Sequence, residues 1–192
     1  MDTGNFFIAL MLVVMIVFVI YAVTQSRARD QWMESAAQQR GGEFRKGSFF
    51  KLGELLIPYK DEAIIFHMEP GSKHSSPKTV AIANVKAPLM PTLRLVHNGL
   101  WQKMMESFGQ ERAQTGDEDF DNEWVIRSSD SLAARKLASP DLKANLSDRI
   151  FRNLDLRLEP KQMKMVALAI PSNEEQFNLF IDTAILILKK FI

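Results

Sequence analysis

One uninterrupted apolar run constrains this chain more than any other feature. Residues Phe6–Val23 are eighteen consecutive uncharged and almost wholly apolar residues, and the first basic residue of the chain is Arg27. An α-helix rises about 1.5 Å per residue, so the run is long enough to cross the roughly 30 Å hydrocarbon layer of a bilayer. The sequence therefore predicts an N-terminal transmembrane helix.

A cleaved signal peptide is the alternative interpretation of the run. Such peptides carry basic residues before an apolar core of about 7–15 residues and a small-x-small motif at its exit. Here the run is longer, Asp2 is the only charge before it, and residues 21–26 contain no clear cleavage motif. We therefore predict an uncleaved transmembrane anchor over residues 1–26.

Basic residues flank only the C-terminal end of the run, where Arg27 and Arg29 follow it. Under the positive-inside rule, this asymmetry places the N-terminus outside and the following domain in the cytoplasm. The predicted location is the cell inner membrane, with the protein as a single-pass chain and the lipid bilayer as its first partner.

The span has the composition of an anchor rather than of an intramembrane functional site. It holds no ionisable side chain at depth and no Gly-x-x-x-Gly pattern for close helix pairing. One helical face contacts either a neighbouring helix or lipid, and we prefer lipid; it comprises Phe7, Met11, Met15 and Phe18. The residues assigned to the anchor are Phe6, Phe7, Met11, Met15, Phe18 and Tyr21.

Composition limits the chemistry of the remaining chain. There are no cysteines, which excludes disulfides, thiolate zinc sites and cysteine nucleophiles. The 24 basic and 23 acidic residues give a net charge of +1, which argues against a dedicated nucleic-acid surface. We predict no cofactor and no nucleic-acid partner.

The rest of the sequence predicts one α+β domain, with a mostly antiparallel sheet and packed helices. A juxtamembrane helix covers residues 27–42, with Gly41-Gly42 as its stop, and the cytoplasmic domain covers 43–192. Strands are predicted at 54–59, 63–69, 79–86, 92–97, 123–127, 154–159 and 162–170. Connections among the first four are too short for helical crossovers, so we expect an antiparallel meander.

Caps and breakers predict the helices of the domain. They run over 100–108, from Asp130 to about Ala138, from Ser139-Pro140 to about Phe151, and after a capping box of Ser172 and Glu175.

The last helix carries a wide apolar stripe, which includes Phe180, Ile187 and Phe191. The preferred interpretation is a helix packed across the sheet. Two others remain open. Its end lies in the membrane interface beside Lys189 and Lys190, or it docks a partner subunit through Phe180, Ile187 and Phe191.

The densest acidic cluster lies just before Trp124. Asp117, Asp119 and Asp121 have the alternating spacing that begins an EF-hand calcium loop, which makes them candidate metal ligands. The rest of the pattern fails, because Asn122 stands where glycine is needed and Ser128 where glutamate is needed. An acidic, solvated entry to the strand at Trp124 is the favoured interpretation.

No other constellation of residues indicates catalysis. His67, His74 and His97 lack metal-ligand spacing, and the chain has no Gly-x-Ser-x-Gly, phosphate loop or Gly-x-Gly-x-x-Gly. Phe49-Phe50 lies between Lys46 and Lys51, but the balanced charge favours a core or edge role over base stacking. Whether the protein is an enzyme stays open, with a non-enzyme preferred.

A longer pattern surrounds the acidic cluster: Thr115-Gly116-Asp117-x-x-Phe120-Asp121-x-x-Trp124-Val125-Ile126-x-Ser128-x-Asp130, then Ala134, Leu137 and Pro140-x-Leu142. It resembles a pattern in bacterial single-span membrane-anchored domains of unknown function, which share this order of elements over most of residues 27–192. The resemblance implies a cytoplasmic or membrane-surface domain and transfers no catalytic residue. Turn, core and cap roles explain the same residues physically.

These observations lead to one functional prediction and one alternative. The prediction is a non-enzymatic, membrane-anchored accessory or scaffolding subunit of a membrane protein complex, whose further partner is a membrane protein. The alternative is a membrane-tethered ligand-binding or metal-dependent hydrolytic domain that uses the acidic segment 117–123.

Overall fold

The computed structural model describes residues 3–47, 53–86, 92–98, 112–128 and 130–192. The helices are α1 (Thr3–Arg40), α2 (Glu118–Glu123), α3 (Ser131–Leu137), α4 (Pro140–Leu146) and α5 (Glu174–Phe191), with a 3-10 turn at Arg149–Phe151. The strands are β1 (Glu43–Arg45), β2 (Glu54–Tyr59), β3 (Glu62–Glu69), β4 (Lys78–Asn84), β5 (Leu93–His97), β6 (Arg112–Ala113), β7 (Trp124–Ser128), β8 (Leu154–Glu159) and β9 (Gln162–Ala167). The predictions at 49–50 and 100–108 lie outside the described residues.

The described strands form one antiparallel sheet in the order β1-β2-β3-β4-β9-β8-β5-β7-β6. The predicted α+β class, with an apolar N-terminal helix before an antiparallel sheet domain, is therefore confirmed. The predicted four-strand meander is wrong in one respect, because the β8–β9 hairpin lies between β4 and β5. Residues 85–92 connect β4 to β5, and eight residues can span up to about 26 Å. The two strands lie three strand spacings apart, or roughly 15 Å, so the connection is long enough to pass the inserted hairpin.

Side chains alternate along each strand, and one set builds the core. In β8, Leu154, Leu156 and Leu158 are fully buried, whereas the residues between them are partly or fully exposed. The buried apolar side chains of the described helices all belong to the same hydrophobic cluster as Leu154, Leu156 and Leu158. These helices therefore cover a single face of the sheet. We call the opposite face the outer face.

Aromatic side chains join the last helix to the sheet. Phe180 of α5 meets Phe66 of β3 edge-on, with ring centroids 6.4 Å apart, and stacks on Phe151 at 6.0 Å. All three side chains are 0 % exposed. Packing of α5 across the sheet, the preferred interpretation of its apolar stripe, is what the structure shows.

Two predicted helix boundaries are wrong, each because a neighbouring side chain makes a better cap. Asn173, not Ser172, caps α5, since its side chain accepts a hydrogen bond from the Gln176 N–H at 2.9 Å. The helix predicted from Ser139 ends at Leu146, since Asp148 accepts from the Ile150 N–H and begins a separate 3-10 turn.

Helices α1 and α5 pack side by side and run in the same direction. Ser35 of α1 hydrogen-bonds Glu174 at the start of α5, and Arg40, five residues further on, reaches Asp182. The far end of α5 lies beside the β2–β3 turn, where Lys60 donates to the Ile192 carbonyl at 3.0 Å. The end of α5 that carries Lys189 and Lys190 therefore points away from the apolar segment of α1, contrary to a membrane-interface position.

Candidate membrane anchor and outer-face row

The apolar segment of α1 projects from the domain with its side chains uncovered. Phe7 is 63 % exposed and Phe18 is 70 % exposed. Among the described residues, one helix, α1, is long and apolar enough to cross a membrane. The mean hydropathy of its most apolar 18-residue window is 2.0, and 0 % of that window is buried. Exposure of a continuous apolar segment is unfavourable in water, so the segment is a membrane anchor or a signal sequence.

No break separates the apolar segment from the part of α1 that packs on the domain. The helix runs from Thr3 to Arg40, and its last turns bury Met33, Ala36 and Ala37 in the core. Residues 3–26 of the predicted anchor and residues 27–40 of the predicted juxtamembrane helix are therefore parts of a single helix, and the border between the two stays a prediction. A continuous helix transmits orientation in a way that a flexible linker does not.

The two arginines used to predict orientation have different surroundings. Arg27 is exposed, whereas Arg29 is half-buried, and its Nε atom is buried without a hydrogen-bond partner among the described residues. Tyr21, Met11 and Met15 of the predicted anchor are all exposed, and the side chain of Phe6 lies outside the description.

The acidic segment is a short helix with its carboxylates in structural use. Asp117 caps α2 by accepting from the Phe120 N–H at 3.0 Å, and pairs with Lys143 at 2.5 Å. The Lys143 ammonium, followed by the Phe120 N–H, holds the pKa of Asp117 below its usual range. Asp121 turns back to accept from the backbone and the hydroxyl of Thr115. The acidic entry to the strand at Trp124 is thus helix α2, which directly precedes β7.

The geometry of this segment does not assemble a metal centre. Within the described parts of the chain, no three carboxylate or imidazole side chains converge on one point. Asp119 is exposed, while Asp117 and Asp121 serve the partners described above. The adjacent surface is an open polar groove of about 890 Å³, open solvent included, beside Arg112, Gln114 and Glu118.

The three histidines lie apart. His67 on β3 lies 3.1 Å from Glu69, which also pairs with Lys78 at 2.8 Å. His97 packs edge-on against Trp124, with ring centroids 5.3 Å apart. His74 lies in the exposed β3–β4 loop. A histidine-based site is therefore not formed by the described residues.

The residues proposed for docking on the last helix are part of the core. Phe180 and Ile187 are 0 % exposed, and Phe191 is partly buried against the same cluster, with the Lys136 ammonium 5.5 Å from its ring. Neither Phe180 nor Ile187 is available to a partner while the domain is folded.

Strand register builds a feature that the linear sequence does not display. One row of directly opposed residues crosses the outer face from β2 to β6; it reads Leu56, Ile65, Ile82, Lys164, Arg157, Arg94, Arg127 and Arg112. Three apolar side chains are thus followed by five cationic ones, which we call the cationic row. Like charges directly opposed in a sheet are destabilising, so the row requires nearby anions.

Asp155 is the carboxylate that serves the centre of the row. Arg94, which is 7 % exposed, donates to its two oxygens at 2.9 and 2.8 Å, and Arg157 donates at 2.8 Å. Burial raises the pKa of Asp155, but the hydrogen bonds from Arg157 and Arg94 outweigh burial and lower it. Asp155 is therefore ionised at neutral pH.

Lys164 is the exposed member of the row next to its apolar half. It is solvent-exposed, and no ion pair to it is formed within the described residues. Leu56, Ile65 and Ile82 beside it are half-buried. The outer face thus presents an apolar strip that ends in positive charge.

The fold and these surfaces define a helix-tethered α+β domain, and comparison with solved structures supports the fold. The crystal structure of the mycobacterial trehalose monomycolate transport factor A, TtfA, matches with a TM-score of 0.55 and 14 % sequence identity. The match covers 87 % of this chain and 96 % of that chain. No protein-family model and no curated protein matches the sequence.

Proposed function

We propose that this protein is a non-enzymatic accessory or scaffolding subunit, anchored by α1 in the inner membrane with its domain at the cytoplasmic face. The continuity of α1 is the observation that carries the proposal. The helix is apolar over Phe7–Val23, where its described side chains are exposed, and it is buried in the core at Met33, Ala36 and Ala37. Such a helix holds the domain at a set height and rotation above the bilayer, as a docking subunit requires.

The similarity to TtfA gives this proposal independent, coarse support. That protein is named as a transport factor, and it shares the fold over nearly its whole length. An accessory role at a membrane is compatible with that name and with the shared fold. The trehalose monomycolate of its name stays with that protein.

The outer face supplies the surface for a membrane protein partner. The half-buried apolar strip of Leu56, Ile65 and Ile82 offers contact area, and Lys164 with the exposed part of Arg157 offers positive charge beside it. We assign to the partner a cytoplasmic segment with acidic side chains opposite Lys164, because complementary charge fixes the register of a docking contact.

Retention of the anchor is tested on the mature protein. Protein sequencing of the mature chain from purified membranes is expected to show that it still contains the apolar run Phe6–Val23. A mature chain that begins near Ser26 would show a cleaved signal sequence and refute the anchor. Protease treatment of intact cells is expected to spare the domain, and digestion from outside would reverse the orientation.

Docking is tested by purification in mild detergent. We expect a co-migrating membrane protein that Lys164→Glu releases. Lys161→Glu, an equal charge reversal on an exposed lysine in the turn of the same hairpin, is expected to retain it. A chain that is solitary at every detergent concentration contradicts the subunit proposal, and equal retention by both variants contradicts the outer face as its surface.

A further inference from the structure

The relative direction of α1 and α5 determines which end of the domain faces the bilayer. Ser35 lies beside Glu174 and Arg40 beside Asp182, so α5 begins near the apolar segment and runs away from it. We call the end of the domain at which α5 begins the membrane-proximal end. This inference rests on the proposed function, because it requires α1 to be embedded in lipid.

Side-chain contacts place the β3–β4 loop, residues 70–77, at this end. Thr79, at the start of β4, donates a 2.8 Å hydrogen bond to the carbonyl of Ala169, in the segment that leads into α5. Strand β3 has eight residues and spans about 26 Å, close to the roughly 27 Å of the eighteen-residue α5. The opposite end of β3 lies by the β2–β3 turn, whose Lys60 reaches Ile192.

The loop has a defined shape, with one lysine and one histidine at its tip. Ser72 and Ser75 are bridged by two backbone hydrogen bonds of 2.8 and 3.3 Å, and their hydroxyls lie 2.8 Å apart. Lys73 and His74 are the two residues between them, and both are exposed. Gly71 closes the base of the loop, because a Cβ there would lie 2.9 Å from Cδ of Pro77.

Chain geometry brings this tip to the lipid headgroups. Ser35 follows Val23 by twelve residues, or about 18 Å of helix. The headgroup layer occupies roughly the first 6 Å, and the loop reaches about 10 Å beyond the end of the sheet. The headgroup layer and the loop together cover all but a few ångströms of the roughly 18 Å between Val23 and Ser35. A usual helix tilt of about 20° closes the remaining distance between the loop tip and the headgroups.

We infer that the β3–β4 loop contacts anionic phospholipid headgroups through Lys73 and His74, as a second attachment point beside α1. Arg149 and Arg152 lie exposed at the same end, after α4 and before β8. Acidic side chains at this end are set on the elements behind the loop: Glu69 pairs with Lys78, and Glu174 accepts from Ser35. Asp30, Glu34, Asp148 and Glu175 offset the positive charge at this end of the domain, with Asp148 accepting a hydrogen bond from Gln176 of α5. Residues 70–77 themselves contain no acidic residue.

The chain has no cysteine, so one introduced thiol carries a single fluorophore. The full chain is placed in bilayer discs of phosphatidylcholine with or without phosphatidylglycerol, with a quencher attached to a lipid headgroup. Labels are compared at Ser76→Cys in the loop, Asp61→Cys at the far end and Ala22→Cys near the predicted membrane boundary. We expect quenching at Ala22 in both lipids, at Ser76 chiefly with phosphatidylglycerol, and none at Asp61.

Each pattern has a separate meaning. If the label at position 22 is quenched and the labels at positions 76 and 61 are quenched to the same extent as each other, the loop contact is overturned and the anchor stands. No quenching at Ala22 overturns both the anchor and this inference. Quenching at Ser76 that is the same in both lipids overturns the requirement for anionic headgroups.

Charge reversal provides the second test. Lys73→Glu is expected to reduce quenching at Ser76 in the anionic discs by a change in contact equilibrium of about fivefold or more, the effect of one lysine near an anionic surface. Lys161→Glu, an exposed lysine in the β8–β9 turn at the other end of the strands, is expected to leave it unchanged. Equal effects of the two substitutions contradict a contact made by the loop.

Discussion

Ser35 of α1 donates a 2.7 Å hydrogen bond to Oε1 of Glu174 in α5, although 139 positions separate the two residues. The bond joins the helix that leaves the apolar segment to the first turn of the helix that completes the core. Together with the Arg40 contacts further along, it fixes the two helices in a parallel arrangement. The direction of the apolar segment of α1 is thereby fixed relative to the whole domain.

The Arg40 contacts are expected to contribute modestly to stability. Its guanidinium donates to Asp182 at 2.8 Å and to Asn178 at 2.9 Å, and its side chain is 17 % exposed. Arg40→Met should lower the free energy of unfolding by about 1 kcal/mol, because the Asp182 side chain is 57 % exposed and an ion pair with an exposed carboxylate contributes little. That is about 2–4 °C in Tm for a chain of this size, measured by circular dichroism in detergent.

Arg45→Met is the matched control for this pair. Arg45 pairs with Glu43 two residues away, and both side chains are more than half exposed. Its removal should leave Tm unchanged. If both variants melt alike, Arg40 does not stabilise the α1–α5 contact.

Local patterns predicted the elements of this fold better than their arrangement. Strand β2 is found as predicted, and the alternation of Leu154, Leu156 and Leu158 identified a half-buried strand. Strands β1 and β6 were missed because three and two residues are too few to show a period. The position of the β8–β9 hairpin between β4 and β5 depends on long-range pairing, which no local pattern contains.

Phe180 is expected to be the most sensitive single position in α5. Its ring contacts that of Phe66 edge-on and stacks on that of Phe151, and the residue is 0 % exposed. Phe180→Ala should destabilise the domain by about 3–5 kcal/mol, through lost burial and the cavity left behind. Chemical denaturation should show a lower midpoint, and Leu132→Ala, at a side chain 68 % exposed, should match the wild type. A wild-type midpoint for Phe180→Ala would contradict the packing of α5 on the sheet.

The outer-face row shows why the candidate surface escaped sequence reasoning. Its cations come from five strands, and Arg94 lies 63 residues before Arg157 in the chain. Total charge is nearly balanced, so composition gave no signal of a local excess. Alternation within β8 does place Asp155 and Arg157 on one face, but only the register shows that Arg94 and Lys164 flank Arg157.

Asp155 should confer an acid-dependent part of the stability. Its pKa in the folded protein lies below the ordinary value of 3.8, so the folded state holds the proton less tightly than the unfolded state. This contribution is present above the unfolded-state pKa and is lost as pH falls through the folded-state pKa. Asp155→Asn should cost about 3 kcal/mol at neutral pH, because it leaves Arg94 buried without its carboxylate.

Denaturation curves at neutral pH and at successively lower pH values measure this contribution. The difference between wild type and Asp155→Asn should shrink as the pH falls below about 4. Glu159→Gln, an exposed change on the same strand, is the control and should track the wild type at neutral pH. A constant difference at all pH values would contradict ionisation of Asp155 as the source.

Substitutions at Asp121 and Asp119 distinguish a structural role of the acidic segment from a role as a metal site. Asp121 accepts hydrogen bonds from the backbone and hydroxyl of Thr115, at 3.1 and 2.9 Å, whereas Asp119 is exposed. Asp121→Ala should lower the free energy of unfolding by about 2 kcal/mol, as loss of hydrogen bonds to a charged group does. Asp119→Ala should be neutral, and calcium, magnesium or zinc should leave the melting temperature of either variant and of the wild type unchanged. A rise in melting temperature with one of these ions that both substitutions abolish would instead establish ligation by the segment, and with it the ligand-binding alternative.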